Sequence, residues 1–273
     1  MSSVVEIHRG TSPVILAFPH TGTEMPEEVG ARLNDTGRNL ADTDWHIHRL
    51  YDGLLDDATT VRATFHRYVI DANRSPRDES LYPGQNTTGL VPMTDFDGRP
   101  IWKDGDHPTP ADVAARLAAF HAPYHAALTA EIDRVRSSHG VAILYDCHSI
   151  RSRIPFLFEG QLPDFNIGTD SGRSCATALE AAVHEVCASA PGYSSVLNGR
   201  FKGGWTTRHY ARPEAGVHAI QMELAQSGYL DAEALPFSYD DGRAARLRPY
   251  LAIILTRIAA LAPTLSTFKG RRP

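Results

Sequence analysis

Two histidines follow two apolar runs of this chain, and both are suited to binding a metal. His20 comes just after the apolar residues Val14–Phe18, and His148 ends a stretch that begins with the apolar run 141–144. Such runs are typical of buried strands, and in open α/β sheets the ligands and catalytic groups lie at the carboxyl ends of the strands. Because imidazole nitrogens on rigid strand ends are good zinc ligands, we predict that His20 and His148 bind a metal ion.

A catalytic metal site needs a third protein ligand, and the sequence offers two acidic candidates. Glu24 follows His20 by four residues, whereas Asp44 lies near the start of a predicted helix. Carboxylate oxygens bind zinc alongside histidine nitrogens, and a coordination position left open for water makes such a site catalytic. Spacing alone does not decide between the two carboxylates as the third ligand. An aspartate near the start of a helix can also serve as a helix cap.

Two further segments carry groups that would act on an acidic substrate. Asn73 and Arg74 follow the apolar run 68–70, and the planar guanidinium of arginine suits bidentate binding of a carboxylate. Glu223 closes the apolar run that starts at Val217, where a buried carboxylate must be paired or functional. Near a metal-activated water it would act as general base and then protonate the leaving amine.

A glycine pair at positions 203 and 204 marks a turn at which the backbone can approach a ligand closely. The residues after the turn are donors that we expect to contact the substrate. These donors are Thr206, Thr207, Arg208 and His209. The alternative for Thr206 is a helix cap.

Strand-like and helix-like segments alternate along the chain, which predicts an α/β fold with a largely parallel sheet in one domain, residues 1–273. Strands are predicted at 14–18, 60–65, 68–70, 141–144 and 217–222. Helices are predicted at 42–55, 109–139, 171–190 and 241–261. Segment 71–107 is rich in Pro, Gly, Asn and Asp without periodicity, and we predict that it forms an active-site loop.

The composition narrows the class of partner. A formal net charge of -5 argues against a nucleic-acid surface. No apolar run approaches membrane-spanning length, and the first residues lack the pattern of a signal peptide, so we expect a cytoplasmic protein with a small-molecule substrate. Its 3 cysteines do not form a disulfide framework. The oligomeric state stays open.

Taken in order, several of these segments resemble the N-formylglutamate amidohydrolase (N-formylglutamate deformylase) family. The resemblance extends over roughly residues 14 to 230. It is carried by Pro19-His20-Thr21-Gly22, Asp42-Thr43-Asp44-Trp45, Asp71-Ala72-Asn73-Arg74, Pro123-Tyr124-His125, Asp146-Cys147-His148-Ser149, the segment 204–209 and Gln221-Met222-Glu223-Leu224. Each motif alone is weak, but their common order makes the resemblance specific.

The resemblance implies zinc-dependent hydrolysis of N-formyl-L-glutamate to formate and L-glutamate, which closes one route of histidine degradation. It also implies a fold similar to that of the zinc carboxypeptidases and aspartoacylases, a mixed and mostly parallel sheet sandwiched by helices. Those relatives use two histidines and an acidic residue as ligands, an Asn-Arg pair for the substrate carboxylate, and a late glutamate as base. In this chain the pattern corresponds to His20, Asp44 or Glu24, His148, Asn73, Arg74 and Glu223.

The third ligand departs from that pattern. Close relatives place a glutamate three residues after the first histidine, where this chain has Thr23. Asp44 belongs to the family motif, so it is the preferred ligand and Glu24 the alternative. His209 or Arg208 is expected to stabilise the oxyanion of the tetrahedral intermediate.

Two other functions are consistent with the same residues. One is a zinc amidohydrolase that removes a different acyl group, for example from N-acetyl-aspartate. The other is a non-catalytic paralogue that binds an acidic ligand. Other divalent transition metals, such as nickel or copper, also suit the predicted ligands.

Overall fold

The computed structural model describes residues 3–80 and 84–267. A seven-stranded sheet runs through it in the order β1-β3-β2-β4-β7-β5-β6. The strands are β1 (Val5–His8), β2 (Val14–Phe18), β3 (Thr59–Ala63), β4 (Ala142–Ile150), β5 (Phe165–Gly168), β6 (Ser195–Leu197) and β7 (Val217–Ala225).

Helices of very different length connect these strands. They are α1 (Glu27–Gly30), α2 (Asp35–Arg38), α3 (Ile47–Tyr51), α4 (Pro110–Arg116), α5 (Ala122–His139), α6 (Thr177–Ala188), α7 (Trp205–Tyr210) and α8 (Asp241–Leu265). A π-helical turn, Leu117–His121, joins α4 to α5, and short 3-10 turns lie at Pro213–Ala215 and Gln226–Gly228. None of the helices in the described ranges is long and apolar enough to cross a membrane.

The strands that carry the predicted site residues run parallel in the middle of the sheet. β3, β2, β4 and β7 pair in parallel, so that their carboxyl ends meet at one edge. β1 is antiparallel to β3, and β5 is antiparallel to β7. The sheet is therefore mixed and mostly parallel, as the sequence predicted, and its carboxyl edge is the place where a ligand is expected.

Side chains alternate along β2 and divide the core into two apolar layers. Val14 and Leu16 pack into the layer that also contains α3, α6 and α8. Ile15 and Ala17 pack on the opposite face, in the layer that contains α5. Because successive strand residues point to opposite faces, a strand covered on both sides must be apolar throughout. The α/β fold class with helices on both faces is thus confirmed.

Two predicted elements are wrong. The run Tyr68–Ile70 forms no strand but a buried turn, in which Val69 N donates to His66 O. Apolar content cannot distinguish a strand from a turn packed inside the core. The helix predicted for 42–55 is shorter in the structure and consists of α3 alone. His46 has a left-handed φ of 57°, so the helix cannot begin before this residue.

The helix predicted for 109–139 is present with a local change of winding. Thr109 caps α4 through a reciprocal capping box with Asp112, and Pro110 occupies the first turn. The π-helical turn comes before Pro123, and Gly140 ends α5 with a φ of 71°. In the described part of 71–107 there is no helix or strand, in agreement with the predicted loop, whose residues 81–83 lie outside the described residues.

Candidate metal centre and active site

Three of the predicted metal ligands meet at the carboxyl edge of the sheet. His20 lies just beyond β2, His148 is near the end of β4, and Asp44 is fixed beside them because its N–H donates to His20 O over 3.0 Å. All three side chains are buried, and each offers a ligand atom within 4.8 Å of the others. The structure therefore brings together the residues that the sequence singled out as a metal site.

Each histidine ring is held between Asp44 and a second buried aspartate. His148 Nδ1 is 3.1 Å and His20 Nδ1 is 3.8 Å from Asp44 Oδ2. On the far side, His20 Nε2 donates to Asp71 Oδ1 over 2.7 Å, and His148 Nε2 lies 3.1 Å from Asp146 Oδ1. A carboxylate behind the ring fixes the orientation of a ligating histidine in metal sites. The arrangement thus fits a cation between the two Nδ1 atoms and Asp44.

The balance of buried charge also suits a cation. Asp44, Asp71, Asp146 and Glu223 are buried around the two rings, and Arg67 is the basic residue that pairs with two of them. Uncompensated buried charge is costly. A divalent ion would offset the excess of carboxylates over basic groups among these described residues.

The two rings differ in their affinity for a proton. Burial would lower the pKa of His148, but the carboxylates of Asp146 and Asp44 reverse this and raise it well above the ordinary value. Burial and the charge of Arg67 lower the pKa of His20, although Asp71 partly opposes them. Because a ligating nitrogen must be free of its proton, cation binding at this site would release a proton.

The ligand group forms part of the wall of a cavity of about 70 Å³. The described residues on its wall include the three candidate ligands and a second set of polar and apolar side chains. That set contains Arg67, Asn73, Arg74, Thr88, Phe96, Leu157, Arg200, Phe201, Gln221 and Glu223. The cavity therefore combines a potential metal centre, a carboxylate and several guanidinium groups.

Glu223 lies opposite His148 in the parallel register of β4 and β7. Its side chain is 7% exposed, and burial raises its pKa to about 8. Gln221 Nε2 donates to Glu223 Oε2 over 3.1 Å, and Gln221 Oε1 accepts from Gly204 N over 2.6 Å. A carboxylate that is oriented in this way and is more basic than usual is suited to accept a proton from water.

Asn73 and Arg74 reach the cavity by different routes. Asn73 Oδ1 accepts from Thr206 N over 2.8 Å, and its Nδ2 is 3.1 Å from His148 Nε2. A Cβ atom at position 204 would overlap the Asn73 amide, which explains why a glycine is needed there. Arg74 Nε donates to Thr88 O over 2.9 Å, which orients its guanidinium on the cavity wall.

The structure separates Glu24, the alternative third ligand, from the other candidates. Glu24 is exposed, and its backbone forms an isolated bridge with Phe65, just after β3. It is not a member of the buried ligand group, whereas Asp44 is. Geometry therefore favours Asp44 as the third ligand.

The donors predicted after the glycine pair lie behind the cavity, since none of the four is among its described lining residues. Thr206 and Thr207 are fully buried at the start of α7, and Thr207 Oγ1 donates to Asp146 Oδ2 over 3.2 Å. Arg208 Nε donates to Gly203 O, and the His209 ring stacks on Trp205 with ring centroids 4.2 Å apart. These residues support the site from outside the cavity.

Two arginines on the cavity wall, Arg67 and Arg200, are not among the site residues predicted from the sequence. Arg67 Nη2 donates to Asp71 Oδ2 over 2.7 Å, and its guanidinium lies over the Phe96 ring at 4.8 Å. The spacing of four residues between Arg67 and Asp71 is a hint of this pair. Arg200 belongs to a loop and has no comparable sequence signal.

Comparisons with known proteins agree with the residue motifs. The family model described as N-formylglutamate amidohydrolase matches residues 12–230. The chain is 47% identical over 261 residues to an N-formylglutamate deformylase from Pseudomonas aeruginosa, with 95% of this chain and 97% of that protein covered. The chain is 46% identical over 261 residues to an N-formylglutamate deformylase from Pseudomonas putida, with 95% of this chain and 97% of that protein covered. The crystal structure of N-formylglutamate amidohydrolase from Ralstonia eutropha JMP134 superposes with a TM-score of 0.80 at 25% identity and covers 95% of this chain and 98% of its own.

Proposed function

Because the chain belongs to the N-formylglutamate amidohydrolase family, we propose that it hydrolyses N-formyl-L-glutamate to formate and L-glutamate. One observation carries the proposal. The group His20, Asp44 and His148 lines the same cavity as Glu223 and Arg74. That cavity therefore holds the parts needed to polarise an amide, activate water and bind a carboxylate.

The ion that we propose is zinc, held by His20, Asp44 and His148. Two imidazoles and one carboxylate form a common catalytic zinc set, and the second carboxylates Asp71 and Asp146 would fix the rings. When bound, a divalent transition metal supplies Lewis-acid stabilisation of negative charge and makes water more acidic.

Glu223 is the proton-transfer residue in this mechanism. Its carboxylate takes the proton of the attacking water and delivers it to the nitrogen of the departing amine. Burial makes the group more basic, and the hydrogen bond from Gln221 keeps Oε2 oriented. Both properties favour a base that acts from a fixed position.

Arg67 takes the role that the sequence suggested for His209 or Arg208. Its guanidinium lines the cavity and is fixed by Asp71, with Nη1 3.8 Å from Asp44 Oδ1. A fixed cation next to the reacting carbonyl stabilises the negative charge that develops on its oxygen. We assign the α-carboxylate of the substrate to Arg74, while Asn73 positions the turn before α7.

Several wider features belong to the same proposal. The pattern of two histidines, an acidic ligand, an Asn-Arg pair and a late glutamate supports a relationship to the zinc carboxypeptidase fold. The reaction would close a route of histidine degradation in the cytoplasm, and one domain, residues 1–273, would carry it.

The test is formate release from N-formyl-L-glutamate by protein loaded with zinc, with and without a chelator. N-acetyl-L-glutamate and N-acetyl-L-aspartate are run in parallel. We expect chelator-sensitive release from the formyl substrate alone. Hydrolysis of an acetyl substrate instead would reassign the acyl group, and no turnover of any substrate with verified metal content would refute the enzymatic function.

A further inference from the structure

Three arginines, Arg67, Arg74 and Arg200, line the described part of the cavity. Arg67 is 5% exposed and is paired with Asp71 beside the candidate metal ligands. Arg74 and Arg200 are only partly buried. The deep cation and the two outer cations therefore occupy different parts of the cavity.

The two outer guanidinium groups are held by the same short segment of backbone. Arg74 Nε donates to Thr88 O over 2.9 Å, and Arg200 Nη2 donates to Asn86 O over 3.0 Å. Arg200 Nε also donates to Leu157 O over 3.2 Å. Because the carbonyls of Asn86 and Thr88 are two residues apart, Arg74 and Arg200 are neighbours on the cavity wall.

The order of these arginines relative to the metal centre can be inferred from their contacts. Arg74 directly follows Asn73, whose amide nitrogen is 3.1 Å from the ring of His148. Arg200 instead donates to the backbone carbonyls of Leu157 and Asn86. Arg74 is thus tied through Asn73 to the side of the cavity near His148, and Arg200 to the wall that carries Leu157 and Asn86.

We propose that Arg200 binds the side-chain carboxylate of the substrate and thereby selects acidic N-acyl amino acids. The inference rests on the proposed function, in which the substrate carries an α-carboxylate close to the scissile amide and a second carboxylate two carbons further away. Arg74 meets the first and Arg200 the second. Leu157 and Phe201, on the same wall, provide apolar contact for the methylene groups between them.

The charge of Arg200 explains why this contact would favour an acidic side chain over a neutral one of the same size. A guanidinium–carboxylate pair is stronger than a neutral hydrogen bond and has a defined bidentate geometry. A substrate analogue whose side chain is neutral cannot form this charged pair, so it gains less binding free energy from the site than an acidic substrate does. The enzyme should therefore prefer N-formyl-L-glutamate to N-formyl-L-glutamine, which differs from it in this one charged group.

The experiment compares kcat/KM for these two substrates in the full-length, zinc-loaded wild type and in Arg200→Gln. We expect Arg200→Gln to lower kcat/KM for N-formyl-L-glutamate by about 10- to 100-fold, mainly through KM, because a charge-assisted hydrogen bond is lost. The value for N-formyl-L-glutamine should change by less than about threefold, since its side chain never used that charge. Arg200→Lys, which keeps the charge, should recover part of the preference.

Two other variants separate this role from a structural one. Arg74→Gln should lower kcat/KM for both substrates, because both carry the α-carboxylate. Arg153→Gln, an exposed arginine that donates to Gln161, should leave both values unchanged. As a readout independent of turnover, calorimetry should show that Arg200→Gln weakens binding of L-glutamate but not of L-glutamine.

The outcomes distinguish failure of this inference from failure of the proposed function. Equal losses for both substrates in Arg200→Gln, or an unchanged preference, would overturn the role of Arg200 while wild-type deformylation stands. If the wild type releases no formate from either substrate, the proposed function itself fails, and the inference fails with it.

Discussion

Gln221 joins the turn at Gly204 to the carboxylate of Glu223. Its Oε1 accepts from Gly204 N over 2.6 Å, and its Nε2 donates to Glu223 Oε2 over 3.1 Å. The first contact fixes which end of the Gln221 amide faces Glu223, so the carboxylate always meets a donor. Gln221 is therefore a positioning residue for the proposed base, and it couples the base to the segment that also anchors Asn73.

Replacement of Gln221 by methionine tests this coupling. The change preserves length and removes both hydrogen bonds of a side chain that is 3% exposed. We expect kcat to fall by about 10- to 100-fold with a smaller change in KM, because the base loses its orientation while the carboxylate-binding arginines are untouched. Steady-state kinetics on N-formyl-L-glutamate measure both constants.

The matched control is Gln161→Met, since Gln161 is exposed and accepts from Arg153 outside the cavity. Its kinetic constants should equal those of the wild type. An unchanged kcat in Gln221→Met would show that the hydrogen bond from Gln221 does not orient Glu223 for catalysis.

Glu223→Gln tests the base itself. The substitution keeps the shape of the side chain but removes its ability to take a proton, so kcat should fall by about 10²- to 10⁴-fold. Metal content should stay the same, because Glu223 is not one of the three candidate ligands. Turnover and bound metal are measured on the same preparation, with Glu185→Gln on the exposed face of α6 as a control. Wild-type turnover in a metal-loaded Glu223→Gln protein would exclude this residue as the base.

Removal of the metal should destabilise the fold. A ligand present at about 1,000 times its dissociation constant adds about 4 kcal/mol to the free energy of unfolding, which for a chain of this size corresponds to a Tm change of about 10 °C. We therefore expect a chelator to lower the Tm of the wild type by about that amount. Thermal unfolding with zinc and with chelator measures it.

Asp44→Asn should abolish that difference, because it removes the shared carboxylate between the two histidine rings. Asp52→Asn, at an exposed position after α3, should keep it. An equal response to zinc in Asp44→Asn and wild type would contradict the assignment of Asp44 as a ligand.

The strands and the groups at their ends could be predicted because each signal is local. β2, β4 and β7 are apolar runs, and His20, His148 and Glu223 stand at or near their carboxyl ends. By contrast, the prediction that Thr206 to His209 contact the substrate rests on their position after a glycine pair. None of the four is among the described residues that line the cavity, and sequence spacing cannot reveal on which side of the cavity wall a residue lies.

Arg67 and Arg200 illustrate the opposite failure. Arg67 lies in a turn, whereas the apolar run 68–70 predicts a strand that begins directly after it. Its partner Asp44 is more than twenty residues away in the chain. Arg200 meets Asn86 and Leu157, which are remote in the chain. Such residues acquire their role mainly from long-range packing, and the four-residue spacing of Arg67 and Asp71 is the one local hint.

Acid should destabilise the protein through histidines that are buried in the neutral form. His125 Nε2 donates to Ala72 O over 2.8 Å, and its Nδ1 accepts from the Tyr210 hydroxyl over 2.9 Å. Burial, together with the nearby His121, lowers the pKa of His125 to about 3, and burial lowers that of His66 well below the ordinary value. Both rings therefore stay neutral in the folded state at pH values at which the unfolded chain takes up protons.

The sign follows from proton linkage. Above about pH 6.5 neither state of the chain protonates these rings, so they add no pH dependence. As the pH falls from about 6.5 towards 3, only the unfolded state binds the protons, and each ring lowers the free energy of unfolding by up to about 1.4 kcal/mol per pH unit. Urea unfolding at a series of pH values, with chelator present throughout so that metal release does not contribute, measures this slope.

His125→Gln removes one of these titrations and keeps a donor that can reach Ala72 O. We expect it to be less stable than the wild type at pH 7 by about 1–3 kcal/mol, because the Tyr210 hydroxyl loses its closer acceptor, His125 Nδ1. Its stability should nevertheless fall less steeply between about pH 6.5 and 4, by about 1.4 kcal/mol per pH unit. His8→Gln, at an exposed position on β1, should retain the wild-type slope. If His125→Gln and wild type lose stability in parallel as the pH falls, His125 is not kept neutral by the fold, and the acid sensitivity must come from other groups.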